Sequence, residues 1–156
     1  MTVRTSVLTF VLCLAMTGIS HAAVVGFTFE FDDGPLAGQT GSGTFAVDGS
    51  VYGFYRANTG FLSLDSTVEG HVFSITDDEG YADYPMVSIH PDNSVFVFDY
   101  SGVGEGSSHL FIFLKQTDTE VEVNIVKFQP NGGEESVGHV TSFVLLSSEP
   151  GGIKNY

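Results

Sequence analysis

Residues 24–31 read VVGFTFEF, and their apolar side chains recur at every second position. Val25, Phe27, Phe29 and Phe31 fall on one side of the segment, and Glu30 falls on the other. An alternation with period two is typical of a β-strand that buries one face. The segment therefore predicts a strand that contributes four large side chains to a hydrophobic core.

The same alternation continues along the chain between short turn-forming segments. The further strand-like segments are residues 43–47, 51–56, 61–64, 69–76, 86–89, 94–100, 109–116, 120–128 and 137–147. Asp48-Gly49-Ser50 predicts a hairpin turn between the first two of these, and residues 101–108 predict a Gly/Ser loop. About ten strands at this spacing predict an all-β fold, an antiparallel β-sandwich with a closed barrel as the alternative.

Two of the predicted strands are apolar on both faces. Residues 110–114 and 95–98 carry large apolar side chains at consecutive positions. Such a strand is covered on both faces or packs against something outside the domain, and at the edge of a sheet it would be prone to unwanted pairing. We therefore expect both segments to be central strands.

The N-terminal residues 1–22 are typical of a secretory signal peptide. Arg4 precedes an apolar run over residues 7–16, and Ser20-His21-Ala22 forms a small-residue cleavage site. The run is about half as long as the ~20 residues that span a bilayer. We expect export with cleavage after Ala22, no membrane anchor, a β-domain over residues 23–148 and a flexible tail over residues 149–156.

The charge and the cysteine content restrict the class of protein. The chain has 19 acidic residues against 5 Lys and Arg, a net charge of −14. Nucleic acid and anionic membrane surfaces are therefore disfavoured as partners. Cys13 is the only cysteine and lies in the predicted signal peptide, so the exported part has no disulfide. Together with the lack of an Asn-x-Ser/Thr sequon, this favours a bacterial exported protein.

Two stretches resemble small exported bacterial proteins of the PEP-CTERM kind. The first is FTFEFDDG (residues 27–34) followed by LAGQTGSGTF (residues 36–45) and Asp48; the second is HPDNSVFVFDY (residues 90–100). The resemblance implies an exported β-sandwich associated with the cell envelope or the extracellular matrix, and it implies no catalytic residues. The sorting tail of that group is replaced here by SEPGGIKNY (residues 148–156), which implies release rather than anchoring.

The acidic turn at residues 77–83 is the metal-site candidate. Asp77, Asp78, Glu79 and Asp83 place four carboxylates within seven residues. Calcium prefers six to eight oxygen ligands on a flexible loop, so calcium is the metal that this turn would suit. The alternative is a solvated acidic turn without a ligand.

A second metal hypothesis uses histidines. His71, His90 and His109 are evenly spaced, and residues on successive strands can reach similar heights in a sheet. A three-histidine zinc site is therefore the alternative to calcium, although each histidine also suits a position at the rim of a core.

The aromatic cluster Tyr52, Phe54 and Tyr55 is the ligand-binding candidate. Tyr52 and Phe54 fall on one face of the predicted strand, and Tyr55 falls on the other. Exposed rings could stack on sugars, whereas packing in the core is the structural alternative.

No nucleophile motif or glycine-rich phosphate loop with its helix is present. The function we expect is therefore non-enzymatic: binding, or a role as a matrix or envelope component, with a calcium-assisted glycan-binding or adhesion module as the specific hypothesis. A small polysaccharide hydrolase or lyase and a small-ligand carrier in a barrel are the two alternatives.

Overall fold

A computed structural model of the chain describes residues 22–48, 52–90 and 94–148. The predicted signal peptide, apart from Ala22, and the predicted tail over residues 149–156 lie outside the described residues. Within them, no helix has the length and apolarity that crossing a membrane requires.

The described residues form ten β-strands and two single-turn 3₁₀ helices, Ile75–Asp77 and Glu105–Ser107. The strands are β1 (Ala22–Asp33), β2 (Thr40–Asp48), β3 (Gly53–Arg56), β4 (Phe61–Val68), β5 (His71–Ser74), β6 (Met86–Ile89), β7 (Val95–Val103), β8 (His109–Gln116), β9 (Val121–Gln129) and β10 (Ser136–Ser148). The predicted all-β class with about ten strands is thus confirmed.

All ten strands belong to one antiparallel sheet in the order β3-β6-β7-β8-β9-β10-β1-β2-β4-β5. The sheet is strongly curled, so that its two halves face each other. The Phe27 ring in β1 lies 5.2 Å from the Phe98 ring in β7, and the Phe45 ring in β2 lies 5.3 Å from the same ring. The alternating faces of both halves therefore meet in a single core of aromatic and aliphatic side chains.

The strands predicted to be central are central. β7 lies between β6 and β8, and β8 lies between β7 and β9. Leu110, Ile112 and Leu114 are buried in the core, while Phe111 and Phe113 lie half-buried on the outer face. Both faces of β8 are thus apolar, but only one of them is covered.

The predicted hairpin between residues 43–47 and 51–56 is wrong. β2 pairs with β4, and β3 pairs with β6 at the far end of the sheet. The eight-residue β4 offers β2 a longer ladder than the four-residue β3 could. After β2 the chain therefore crosses from one half of the sheet to the other. Gly49 and Ser50 of the predicted turn lie outside the described residues.

Two strand boundaries also differ from the sequence prediction. Glu69 and Gly70 have φ angles of 47° and 81° and form the turn between β4 and β5, so that β5 begins at His71 instead of Glu69. β7 continues to Val103, because Ser101 and Gly102 of the predicted loop pair with β8.

Candidate ligand-binding face

The aromatic residues predicted to bind a ligand lie in and just before β3, an edge strand. Tyr52 and Phe54 are 55% and 53% exposed, whereas Tyr55 is 9% exposed and packs in the core. The Tyr55 hydroxyl donates a hydrogen bond to the backbone carbonyl of Tyr52 at 3.2 Å. Of these three rings, Tyr52 and Phe54 are thus the two that a ligand could reach.

Phe54 begins a row of outward-facing side chains that crosses half of the sheet. Paired residues in neighbouring antiparallel strands lie side by side on the same face. The register across β3, β6, β7, β8 and β9 gives the row Phe54, Ser88, Val97, Lys115 and Val123.

Two further rows run beside the first on the same face. One consists of Arg56, Met86, Asp99, Phe113 and Ile125, and the other of Ser101, Phe111 and Lys127. The Phe111 and Phe113 ring centroids are 6.5 Å apart. We call the outer surface formed by these three rows the aromatic–basic face.

The aromatic–basic face gathers all the described cations. Arg56, Lys115 and Lys127 are the only Lys or Arg residues in the described part of the chain. The Arg56 guanidinium carbon lies 5.3 Å from the centroid of the Phe54 ring, the geometry of a cation–π contact. A strongly acidic protein thus presents these positive charges together, beside its partly exposed aromatic rings.

The two lysines of this face form ion pairs at its border. Lys115 Nζ lies 2.5 Å from a carboxylate oxygen of Glu122, and Lys127 Nζ lies 3.2 Å from one of Glu135. Both lysine side chains keep 40–50% of their surface exposed. Solvent-exposed pairs of this kind are weak, so an anionic ligand can compete for either ammonium group.

The outer face of the other half of the sheet differs in chemistry. The register across β1, β2 and β4 aligns hydroxyl side chains there: Thr28, Ser42, Thr44, Ser63 and Thr67. The acidic residues with the same outward parity in these strands are Glu30, Asp32, Asp48 and Asp65, and none of the described residues of this face is Lys or Arg. The charge of the ligand can therefore discriminate between the two faces.

Asp99 lies in the middle row of the aromatic–basic face, between Met86 and Phe113. Burial raises the pKa of its carboxyl group, and the nearby charge of Asp78 raises it further. The carboxyl group is thus held in surroundings that disfavour its charged form.

The first two carboxylates of the predicted metal turn have structural roles. The backbone N–H and the hydroxyl of Ser74 donate to Asp77 Oδ2 at 2.6 and 2.9 Å. Asp78 is 6% exposed and accepts bonds from the N–H groups of Gly80 and Ser101 at 2.8 and 3.0 Å. Burial raises the Asp78 pKa, and these two hydrogen bonds partly oppose that rise. Asp78 therefore ties the turn to β7.

The other two carboxylates point to different partners. Glu79 accepts a bond from the Ser101 hydroxyl at 3.0 Å, and Asp83 accepts one from Asn58 Nδ2 at 2.9 Å. Within the described residues, no group of three or more His, Cys, Asp or Glu side chains is arranged to hold a metal ion. The structure thus does not bring the four carboxylates together, and calcium forms no part of the function proposed below.

The histidines of the zinc hypothesis are likewise separate. His71 Nδ1 lies 2.9 Å from the Ser108 hydroxyl, and the ring packs 5.5 Å from that of Phe128. His90 stacks on Phe96 at 3.9 Å. His109 is exposed at the start of β8. Two of these histidines therefore support packing, in the structural role that the sequence had left open.

The grouping of cations is the feature that sequence reasoning missed. Lys115 and Lys127 belong to adjacent strands and Arg56 to a strand distant in sequence, so only the register relates them. Each of the three lies at an outward-facing position of its strand, which the alternation of apolar residues in that strand indicates. The resulting surface offers rings for stacking and cations for ion pairing, chemistry that suits recognition of an extended anionic ligand.

In comparisons with known proteins, no protein-family model matches the chain, and no curated protein or solved structure is significantly similar to it.

Proposed function

We propose that this chain is an exported, non-enzymatic domain that binds an acidic polysaccharide of the cell envelope or extracellular matrix on its aromatic–basic face. The observation that carries the proposal is the position of Arg56, Lys115 and Lys127 around the exposed and half-buried rings of one sheet face. The expectation of export comes from residues 1–22.

The chemistry of an acidic polysaccharide complements this face. The C–H faces of sugar rings are apolar and pack on aromatic rings such as Phe54, while uronic carboxylates pair with ammonium and guanidinium groups. The outer face of the curled sheet is open and has no enclosing walls, so it supports an extended chain of sugars rather than one enclosed small molecule.

The two carboxyl groups with raised pKa values, Asp78 and Asp99, occupy positions that fit a binding domain. Asp78 is the buried carboxylate of the described chain, and both its oxygens accept backbone hydrogen bonds. Asp99 belongs to the binding face, where burial raises the pKa of its carboxyl group. Neither group needs a catalytic role to explain its position.

Titration calorimetry with a soluble polyuronate and with a neutral β-glucan tests the proposal. We expect binding of the polyuronate only, and weaker binding as the salt concentration rises from about 0.05 M to about 0.5 M. The double variant Lys115→Gln/Lys127→Gln should weaken binding about tenfold, which corresponds to about 1.4 kcal/mol.

A matched control lowers the net charge by the same amount elsewhere. Leu62 and Val72 are 49% and 59% exposed on β4 and β5, away from the aromatic–basic face. Leu62→Glu/Val72→Glu should therefore leave binding close to that of the unchanged protein. Equal losses of affinity in both double variants would show that net charge alone explains the effect. Release of reducing ends from the polyuronate would show that the protein is an enzyme instead.

A further inference from the structure

β9 and β10 separate soon after their pairing begins. The ladder between them contains three residue pairs and ends at Gly138 and Val126, although β10 continues to Ser148. Two positions further in the same register, Val140 would pair with Asn124. Instead, the Asn124 side chain fills this position: Nδ2 donates to the Val140 carbonyl at 2.9 Å, and Oδ1 accepts from the Val140 N–H at 2.8 Å.

Beyond this point the edge of β10 has no strand partner among the described residues. In an antiparallel ladder the backbone groups of successive residues point alternately to the two sides. The Phe31 N–H donates to the backbone carbonyl of Gln39, so the backbone groups of Phe31 point toward β2. Val25 and Phe27 have the same parity as Phe31 in β1, so their backbone groups also point toward β2. Their partners in β10, Leu145 and Phe143, therefore direct their backbone groups away from β1.

The core is incomplete along the same segment. Phe143 and Leu145 pack against the core yet remain partly exposed, whereas the core-facing residues of the neighbouring β1 are buried. On the outer face Val144 and Leu146 are 55% and 58% exposed. Their cross-strand neighbour Gly26 has no side chain that could cover them.

This edge also lacks charge. Residues 140–148 include no acidic or basic side chain, and the first charge in the adjacent β1 is Glu30. In a chain with a net charge of −14, two copies repel each other least where their surfaces are neutral. Exposed, uncharged and β-branched edge segments are the ones that pair with another strand.

We propose that two copies of this chain associate through β10, pairing the two β10 edges antiparallel across a two-fold axis. The two-fold axis would pass through the Val144 pair. Phe143 of each copy then lies opposite Leu145 of the other copy, and these two residues exchange backbone hydrogen bonds. This isologous contact continues the sheet through the dimer and covers Phe143 and Leu145. It is independent of the polysaccharide proposal, since the aromatic–basic face lies on the other half of the sheet.

Analytical ultracentrifugation of the purified, exported chain tests this inference. We expect a dimer, and about tenfold weaker association for Val144→Lys, because two lysines would then lie opposite each other at the axis. The control is Val72→Lys, which adds the same charge at an equally exposed position on β5. It should dimerise like the unchanged chain.

Mixing charge variants distinguishes loss of pairing from loss of structure. Val144→Lys and Val144→Glu should each be largely monomeric alone and should form a mixed dimer when combined, because the opposed charges attract. A monomeric unchanged chain, or a Val144→Lys variant that dimerises as well as Val72→Lys, would overturn the proposal.

Hydrogen exchange identifies what covers the edge. The amides of Phe143 and Leu145 should be protected in the dimer and exchange faster in monomeric Val144→Lys. Equal protection in that monomer would mean that another segment of the same chain occupies the edge, which would also overturn the proposal.

Discussion

The ring of Phe27 in β1 lies directly over Gly43 in β2. A Cβ atom at Gly43 would overlap the Phe27 ring and would come within 2.7 Å of the Asp65 backbone oxygen. A side chain is therefore excluded here by two strands at once. Because Gly43 has no side chain, the Phe27 ring can occupy the centre of the core, where its centroid lies 5.2 Å from that of Phe98 in the opposite half of the sheet.

Gly43→Ala should lower the free energy of unfolding by about 1–3 kcal/mol, because overpacking displaces a buried ring or the β4 backbone. Urea denaturation measures the change. The control is Gly26→Ala, because the three atoms nearest to its Cβ would all belong to the exposed side chain of Leu146, the nearest at 3.2 Å. A smaller loss in Gly43→Ala than in Gly26→Ala would contradict this account of the core.

Asn124→Ala should destabilise the protein by about 1–3 kcal/mol, because the Val140 N–H and carbonyl both lose their partner where the sheet opens. Asn58→Ala is the control, since Asn58 makes an exposed bond to Asp83 and should change stability by less than about 0.5 kcal/mol. Thermal unfolding of both variants at one protein concentration provides the comparison, and equal stabilities would refute the role given to Asn124.

Asp99 should make the protein less stable as the pH rises. Its folded-state pKa is raised by burial, so the folded protein holds this proton more tightly than the unfolded chain does. The free energy of unfolding therefore falls from about pH 4, where the unfolded group titrates, up to the raised folded pKa. Asp99→Asn should remove this fall and increase stability at pH 7, as measured by denaturation across that pH range. An unchanged pH profile would be the contrary result.

Asp78→Asn should act in the opposite direction at neutral pH. Asp78 also has a raised pKa, but its two oxygens accept bonds from the N–H groups of Gly80 and Ser101. An amide nitrogen cannot accept either bond, so one buried N–H loses its acceptor, at a cost of about 1–3 kcal/mol. A variant at least as stable as the unchanged protein at pH 7 would show that desolvation outweighs these bonds.

Phe54→Ala should weaken polyuronate binding about tenfold and leave stability nearly unchanged. The Phe54 side chain is 53% exposed and contacts the Arg56 guanidinium, so its loss removes a stacking surface and frees that cation. Leu62→Ala, at 49% exposure on the other half of the sheet, is the control for calorimetry and thermal unfolding. Equal affinities in the two variants would exclude Phe54 from the binding face.

The strands and most of their limits could be predicted because their signals are local. Alternation in residues 24–31 identifies β1, and the doubly apolar residues 110–114 identify β8 as central. The pairing of β2 with β4 could not be predicted, because it depends on the ladder that a distant segment offers and not on the turn that follows β2.

The candidate sites were predictable only in part, for the same reason. Parity separates Tyr52 and Phe54 from Tyr55, and the structure agrees. The spacing of the acidic turn did not reveal that its carboxylates bond to separate partners, because hydrogen-bond donors from β7 and other distant segments orient them.

By itself, the sequence determined an acidic, all-β chain with alternating faces, because composition and period-two patterning act between neighbouring residues. Only the tertiary structure decided that three cations share one face with exposed rings, and that β10 leaves β9 at Asn124. Both features arise from strand register, which is set by competition among all possible ladders when the core closes.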